Sequence, residues 1–286
     1  MNAGRVARVW LPIAPALLLF AGLLITPLFM TAFLSFQEGD AAGHVLPTLT
    51  LNNWREIVAD GYYHEIFIRT FRIALLVTGL AIVLGAPEAY IVNRMRAPWR
   101  SLTLLLVLTP LLISVIARTL GWVLLFGPRG LLSNLPVFLG LTGDPVGFLF
   151  TETGIVVALT HVLTPFMVLS VWASLQRLDP QIENAATSLG ASRMTAFRRV
   201  VLPQILPGVL SGAVIVFALA ASAYATPVII GGRRLKVASV VVYDEFVHQM
   251  NWPLGAGLAM VLLLSLGIAT GLASRLVERQ YAQAGE

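Results

Sequence analysis

Cysteine is absent from the 286-residue chain. Its absence excludes thiolate metal centres, iron–sulfur clusters, covalently attached haem and disulfide frameworks, and leaves the compartment open. Lysine occurs once, as Lys236 between Leu235 and Val237. A Walker A loop needs Gly-Lys-Ser/Thr to wrap phosphates and place a lysine on them, so this chain cannot hydrolyse ATP by itself. Charge is scarce as well. Asp, Glu, Lys and Arg make up 12% of the residues, against about 25% in a typical soluble domain, which excludes an ordinary soluble enzyme. His64-Glu65 starts like a zinc-protease signature, but Ile68 stands where the second ligand belongs. No serine occupies a Gly-x-Ser-x-Gly elbow.

What fills the chain instead is apolar: 57% of residues are hydrophobic, gathered into stretches at about 10–36, 67–92, 101–126, 153–175, 204–230 and 254–277. A hydrocarbon layer about 30 Å thick takes roughly 20 helical residues at about 1.5 Å each. The chain therefore reads as an all-α polytopic membrane protein, one transmembrane domain over residues 1–286 with six spans. The first stretch is longer than a signal-peptide core and lacks a small-x-small cleavage site, so it is read as a retained span. The interval 127–150, rich in Gly and Pro, reads as a re-entrant or surface segment. The net charge of +5 has a topological explanation that needs no nucleic-acid partner. With a cytoplasmic N-terminus, eleven of the nineteen Lys and Arg collect inside, Arg94, Arg96, Arg100, Arg198 and Arg199 among them. Both termini then lie in the cytoplasm.

The inner loop 176–203 carries the most information. Asp179 suits a cap and Pro180 a first helical position, so a helix is expected to start there. Ile182, Ala185, Ala186 and Leu189 fall at i, i+3, i+4 and i+7 and make one apolar stripe. Gly190 is placed to end this helix in a left-handed conformation. Ser192 then caps a second short helix with Met194, Phe197, Val200 and Val201 apolar, and Pro203 fits the first turn of span five. The expected object is two short helices meeting at a glycine corner between two spans. It is either a knob that a soluble partner can push or a basic amphipathic loop lying on anionic lipid. A DNA-binding helix-turn-helix is disfavoured because both ends are tied to spans.

Glu183-Asn184-Ala185-Ala186 through Gly190, followed by Val200-x-Leu202-Pro203, resembles the EAA loop of binding-protein-dependent ABC importer permeases of the type I, MetI-like group. Ala117-Arg118-Thr119 with Trp122, Pro165-Phe166-Met167, Thr226-Pro227 and Asn251-Trp252-Pro253 resemble the spermidine/putrescine-type branch. The likeness covers about residues 51–264. It implies a coupling helix between spans four and five, with Glu183, Asn184, Ala185, Ala186, Leu189, Gly190 and Arg193 facing a separate ATPase. It also implies two ATPase copies that bind ATP and Mg, no cofactor in this chain, a second homologous but non-identical permease, and an extracytoplasmic solute-binding protein at a bacterial inner membrane. Asn184 stands where the family usually has glutamate. It retains hydrogen bonding but forms no ion pair.

Ionisable side chains inside spans are costly, roughly 2.5–3.5 kcal/mol at the bilayer centre on insertion scales, and so are candidate path residues. Arg118 in span three and Glu88 near the inner end of span two are the clearest. Trp122, Tyr224 and Thr226 join them as candidate path residues. Arg118 bonded to backbone, Glu88 snorkelling to the interface, and Tyr224 and Thr226 in ordinary helix packing are the structural alternatives. Gly208/Gly212 and Gly267/Gly271 have the spacing of close helix contacts. The implied solute is small and polar, polyamine-like or phosphonate- or amino-acid-like. A secondary transporter driven by an ion gradient is the rival; it would place coupling carboxylates or broken helices near mid-membrane, and the apolar stretches show little of either.

Overall fold

The computed structural model describes residues 14–40, 43–178 and 180–284. Six of its helices are long and apolar enough to cross a membrane. Two compact units divide the chain: residues 1–64 with 241–263, and residues 65–240 with 264–286.

In the first unit, α1 (Ala14–Leu34) buries none of its residues within the chain. A helix apolar all round and unpacked is one made for lipid or another apolar partner. The polar interval after it is folded. Strands β1 (Gln37–Gly39) and β2 (Val45–Leu49) form an antiparallel hairpin, and α2 (Asn52–Ala59) follows. Asn53 ties them together: its amide donates to the carbonyls of Ser35, 3.0 Å, and Gln37, 2.8 Å. Trp54 stacks on Phe36 at 5.5 Å and donates its indole N–H to Ser35 Oγ at 3.2 Å. A hairpin of this length is too short to announce itself in a sequence dominated by spans.

The second unit is organised around α7 (Glu152–Leu175), capped by Thr151, whose hydroxyl accepts from Gly154 N at 3.1 Å. Half of α7 is buried against α3 (Gly61–Arg94) and α10 (Leu202–Ala221). Glycines set the α7–α10 spacing. A Cβ on Gly208 would lie 2.3 Å from Ser174 Oγ and 2.7 Å from the Ser170 carbonyl oxygen, and one on Gly212 would lie 2.8 Å from Met167 Sδ. The two backbones touch there because nothing intervenes. Gly267 and Gly271 face open space within the chain, so only the first glycine pair forms an internal seam.

Two of the six stretches are not single helices, and the third membrane-length helical segment is Val115–Phe138, which reaches into the interval expected to lie outside the membrane and replaces the expected span 101–126. The expected span 101–126 is α4 (Trp99–Leu112) and α5 (Val115–Phe126), separated at Ile113 and Ser114, whose ψ angles of 139° and 133° are extended. The β-branched run Ile113, Val115, Ile116 weakens helix propensity at this point. The Arg118 guanidinium donates to the Pro110 carbonyl, the group a continuous helix would have bonded to Ser114 N–H. The expected span 204–230 ends as an α-helix at Ala221, and a π-helical turn, Pro227–Gly231, follows the gap. Pro227 has no N–H and clashes with the carbonyl four residues back, which leaves the Ala223 carbonyl without its intrahelical donor. That carbonyl accepts instead from Ser239 Oγ at 2.6 Å. The interval 127–150 contains a further helix, α6 (Leu131–Phe138), where Ser133 Oγ donates to the Phe126 carbonyl at 2.7 Å and closes the end of α5.

Candidate functional site

The insert between α7 and α10 begins with α8 (Pro180–Ser188). Gly190 takes φ +88°. Its N–H donates to the Thr187 carbonyl at 3.0 Å, and Ala191 N–H reaches back to the Ala186 carbonyl at 3.1 Å. This pair of bonds is a Schellman closure, which requires a left-handed residue at the position Gly190 holds. Ser192 Oγ then accepts from Thr195 N–H at 3.2 Å and starts α9 (Arg193–Ala196). Unlike the separate second helix expected from sequence, α9 passes through a π-helical turn, Phe197–Val201, directly into α10. The corner is thus one short arm hinged to the extended end of a membrane helix. Phe197 packs edge-on against Tyr90 of α3 at 4.8 Å, and Gln176 donates to Asn93 Oδ1 at 2.7 Å. Both contacts fasten the base of the insert to the end of α3.

Among the described residues, much of the apolar surface of α8 and of the corner that follows it is uncovered. Leu189 is 89% exposed, Met194 65% and Ile182 42%; Ala185 is exposed and Ala186 half-buried. The side chains of Glu183, Asn184 and Arg193, and all of Asp179, lie outside the described residues.

The candidate path residues separate into two cavities of the second unit. Glu88 and Trp122 line a cavity of about 940 Å³ bounded by α3, α4, α5 and α7. His161 lines it too, its ring edge-on to Trp122 at 5.4 Å. Arg118, Tyr224 and Thr226 line a smaller cavity of about 280 Å³ where the break in α4–α5 meets the gap after α10. Thr119 and Thr226 hydroxyls approach to 3.3 Å across these two breaks. Thr119 already donates to the Val115 carbonyl at 2.7 Å, so Thr226 supplies the hydrogen between them. His161 and Thr119 were not singled out from the sequence. A histidine in the middle of an apolar run was a readable sign; Thr119 is legible only as part of the Ala117-Arg118-Thr119 string.

The model of the binding-protein-dependent transport system inner membrane component family matches residues 77–281. The chain belongs to this family. It is a multi-pass inner-membrane permease subunit of an ATP-binding cassette importer, and its known relatives are transport subunits rather than enzymes. It is 28% identical to the spermidine/putrescine transport system permease protein PotB of Salmonella typhimurium (strain SL1344), over 89% of each chain. It is 27% identical to the inner membrane ABC transporter permease protein YdcU of Escherichia coli (strain K12), over 91% of this chain and 85% of that one. In fold it is similar to a chain of a bacterial alginate ABC transporter solved in complex with alginate pentasaccharide-bound periplasmic protein, with a TM-score of 0.66 at 18% identity, covering 95% and 98% of the two chains. Both helix interruptions fall just outside the membrane-length helical segments Val115–Phe138 and Met194–Ala221; family membership sets the ion-driven alternative aside.

Proposed function

We propose that this permease imports a polyamine-class organic cation, handed over by an extracytoplasmic solute-binding protein and driven by a separate ATPase seated on the α8 corner. The exposed stripe Ile182, Ala185 and Leu189 beside Gly190 carries the reading. An apolar face left bare on a nine-residue helix is stable there only if something covers it, and its base is fastened to the membrane helices through Tyr90–Phe197. Two ATPase copies hold ATP and Mg, this chain holds neither, and a homologous but non-identical permease completes the pathway. Glu183, Asn184 and Arg193 lie on the same insert and complete the ATPase contact. The N- and C-termini face the cytoplasm, on the side of the insert and its arginines. Bound nucleotide shifts the inward/outward equilibrium by its difference in affinity for the two states, and α8 is the lever that reports the difference. The likeness to PotB supports the solute class.

The test replaces the stripe without touching the corner. Ile182→Glu with Leu189→Glu is expected to leave membrane insertion normal, to remove the ATPase from a pull-down on the tagged permease, and to abolish polyamine uptake. Full ATPase recovery with the double variant would refute the docking reading.

A further inference from the structure

The larger cavity has a hydrogen-bonding character of its own. Glu88 lines it from α3, and among the described residues Glu88 makes no hydrogen bond or ion pair. Thr160 and Thr164 line it from α7, and each hydroxyl donates to a backbone carbonyl, Thr160 to Val156 and Thr164 to Thr160, both at 2.7 Å. A threonine whose hydrogen is spent in this way offers only its oxygen lone pairs. The cavity therefore presents one carboxylate, the Thr160 and Thr164 oxygens, Thr103 whose hydroxyl donates to Met95 Sδ, and the facing Trp122 and His161 rings, with apolar walls elsewhere. A protonated primary amine has three donors and no acceptor, and it is attracted both to carboxylates and to indole faces. The smaller cavity is the opposite case, since the fixed guanidinium of Arg118 lines it.

We infer that the cavity between α3, α4, α5 and α7 is an organic-ammonium site in which Glu88 receives a primary ammonium group, with the Thr160 and Thr164 oxygens and the Trp122 ring beside it. The inference rests on the import reading only for the identity of the amine, a terminal group of the transported cation. At about 940 Å³ the cavity is at the upper end of the usual range for small-molecule sites, about 300–1,000 Å³. One carboxylate matches one ammonium. The remaining amines of a polyamine must find their partners outside this cavity.

Two measurements separate the site from the transport reading. In the reconstituted transporter, Glu88→Gln is expected to raise the half-saturating spermidine concentration about tenfold, the loss of one charge-assisted contact. Glu88→Asp, which keeps the charge, restores most of it, and ATPase attachment is unchanged in both. In the full chain held in lipid nanodiscs, 1,4-diaminobutane is expected to quench a tryptophan signal that Trp122→Phe or Glu88→Gln removes. Diamine binding identical in wild type and Glu88→Gln overturns the site, whatever the transporter carries. Glu88-dependent retention of phosphatidylethanolamine without any effect on diamine binding also overturns it, in favour of a lipid headgroup. Diamine binding that depends on Glu88, in a transporter that takes up no polyamine, upholds the site and refutes the proposed cargo.

Discussion

Gly190 isolates a single physical term. A Cβ built on it meets nothing within 4 Å, so Gly190→Ala adds no clash, and its φ of +88° makes the backbone conformation the whole cost. That cost is about 1–2 kcal/mol for an ordinary L-residue in the left-handed region, a roughly five- to thirtyfold shift in population. The α8 helix is nine residues long with its apolar stripe uncovered, so it has little tertiary packing to absorb the loss, and the Schellman bonds of Gly190 and Ala191 are the first to go. Asparagine enters this region several-fold more readily than alanine, and a β-branched residue does so least. ATPase recovered on the tagged permease at limiting ATPase concentration is expected to rank Gly190 above Asn, Asn above Ala, and Ala above Val, with uptake following the same order. Membrane-inserted yield is expected to stay level across the series. Equal recovery for Gly and Val, or Asn ranking below Val, would refute the claim that the corner works through its left-handed turn.

The α7–α10 seam gives the opposite kind of perturbation. Gly208→Ala puts a methyl against the Ser170 carbonyl and is expected to cost about 1–3 kcal/mol by overpacking, lowering the thermal midpoint in detergent, whereas Gly267→Ala, which faces open space, leaves it in place; equal midpoints would count against the seam. Arg118→Leu removes the donor that serves the Pro110 carbonyl in the α4–α5 break. It is expected to cost about 1–2 kcal/mol, allowing for the weaker yield of hydrogen bonds measured in membrane proteins, and a wild-type unfolding midpoint would show that the break is held by something else.

Features fixed by local chemistry were legible in the sequence. The positive φ of Gly190, the Ser192 cap and the placement of Pro203 in the first turn of α10 each depend on a residue and its immediate neighbours. The six apolar stretches were legible because length and hydropathy are properties of composition. The breaks were hidden for the same reason: a window that averages over about 20 residues cannot register a gap of two or three, even where Ser222, Tyr224 and Thr226 lower the local hydropathy. Pro227 was the readable sign for the second break, since it disables the carbonyl four residues earlier. The first break has no proline in that register, and its stabilising contact joins residues 110 and 118 across the interruption. The separation of Glu88 and Trp122 from Arg118, Tyr224 and Thr226 was beyond the sequence, because it depends on how four helices turn relative to one another within the second unit.

Both breaks follow one rule. Irregular backbone removed from water survives only if each freed polar group finds a partner inside the protein. Here a guanidinium serves the Pro110 carbonyl and a hydroxyl serves the Ala223 carbonyl. Side-chain partners differ from backbone partners in that they are exchangeable. The Thr119–Thr226 contact joins the two breaks. The insert carrying Gly190 leads without interruption into α10, the half-helix that ends at the second break. In the proposed docking, a pull on α8 has a helical path to the break where Thr226 meets Thr119.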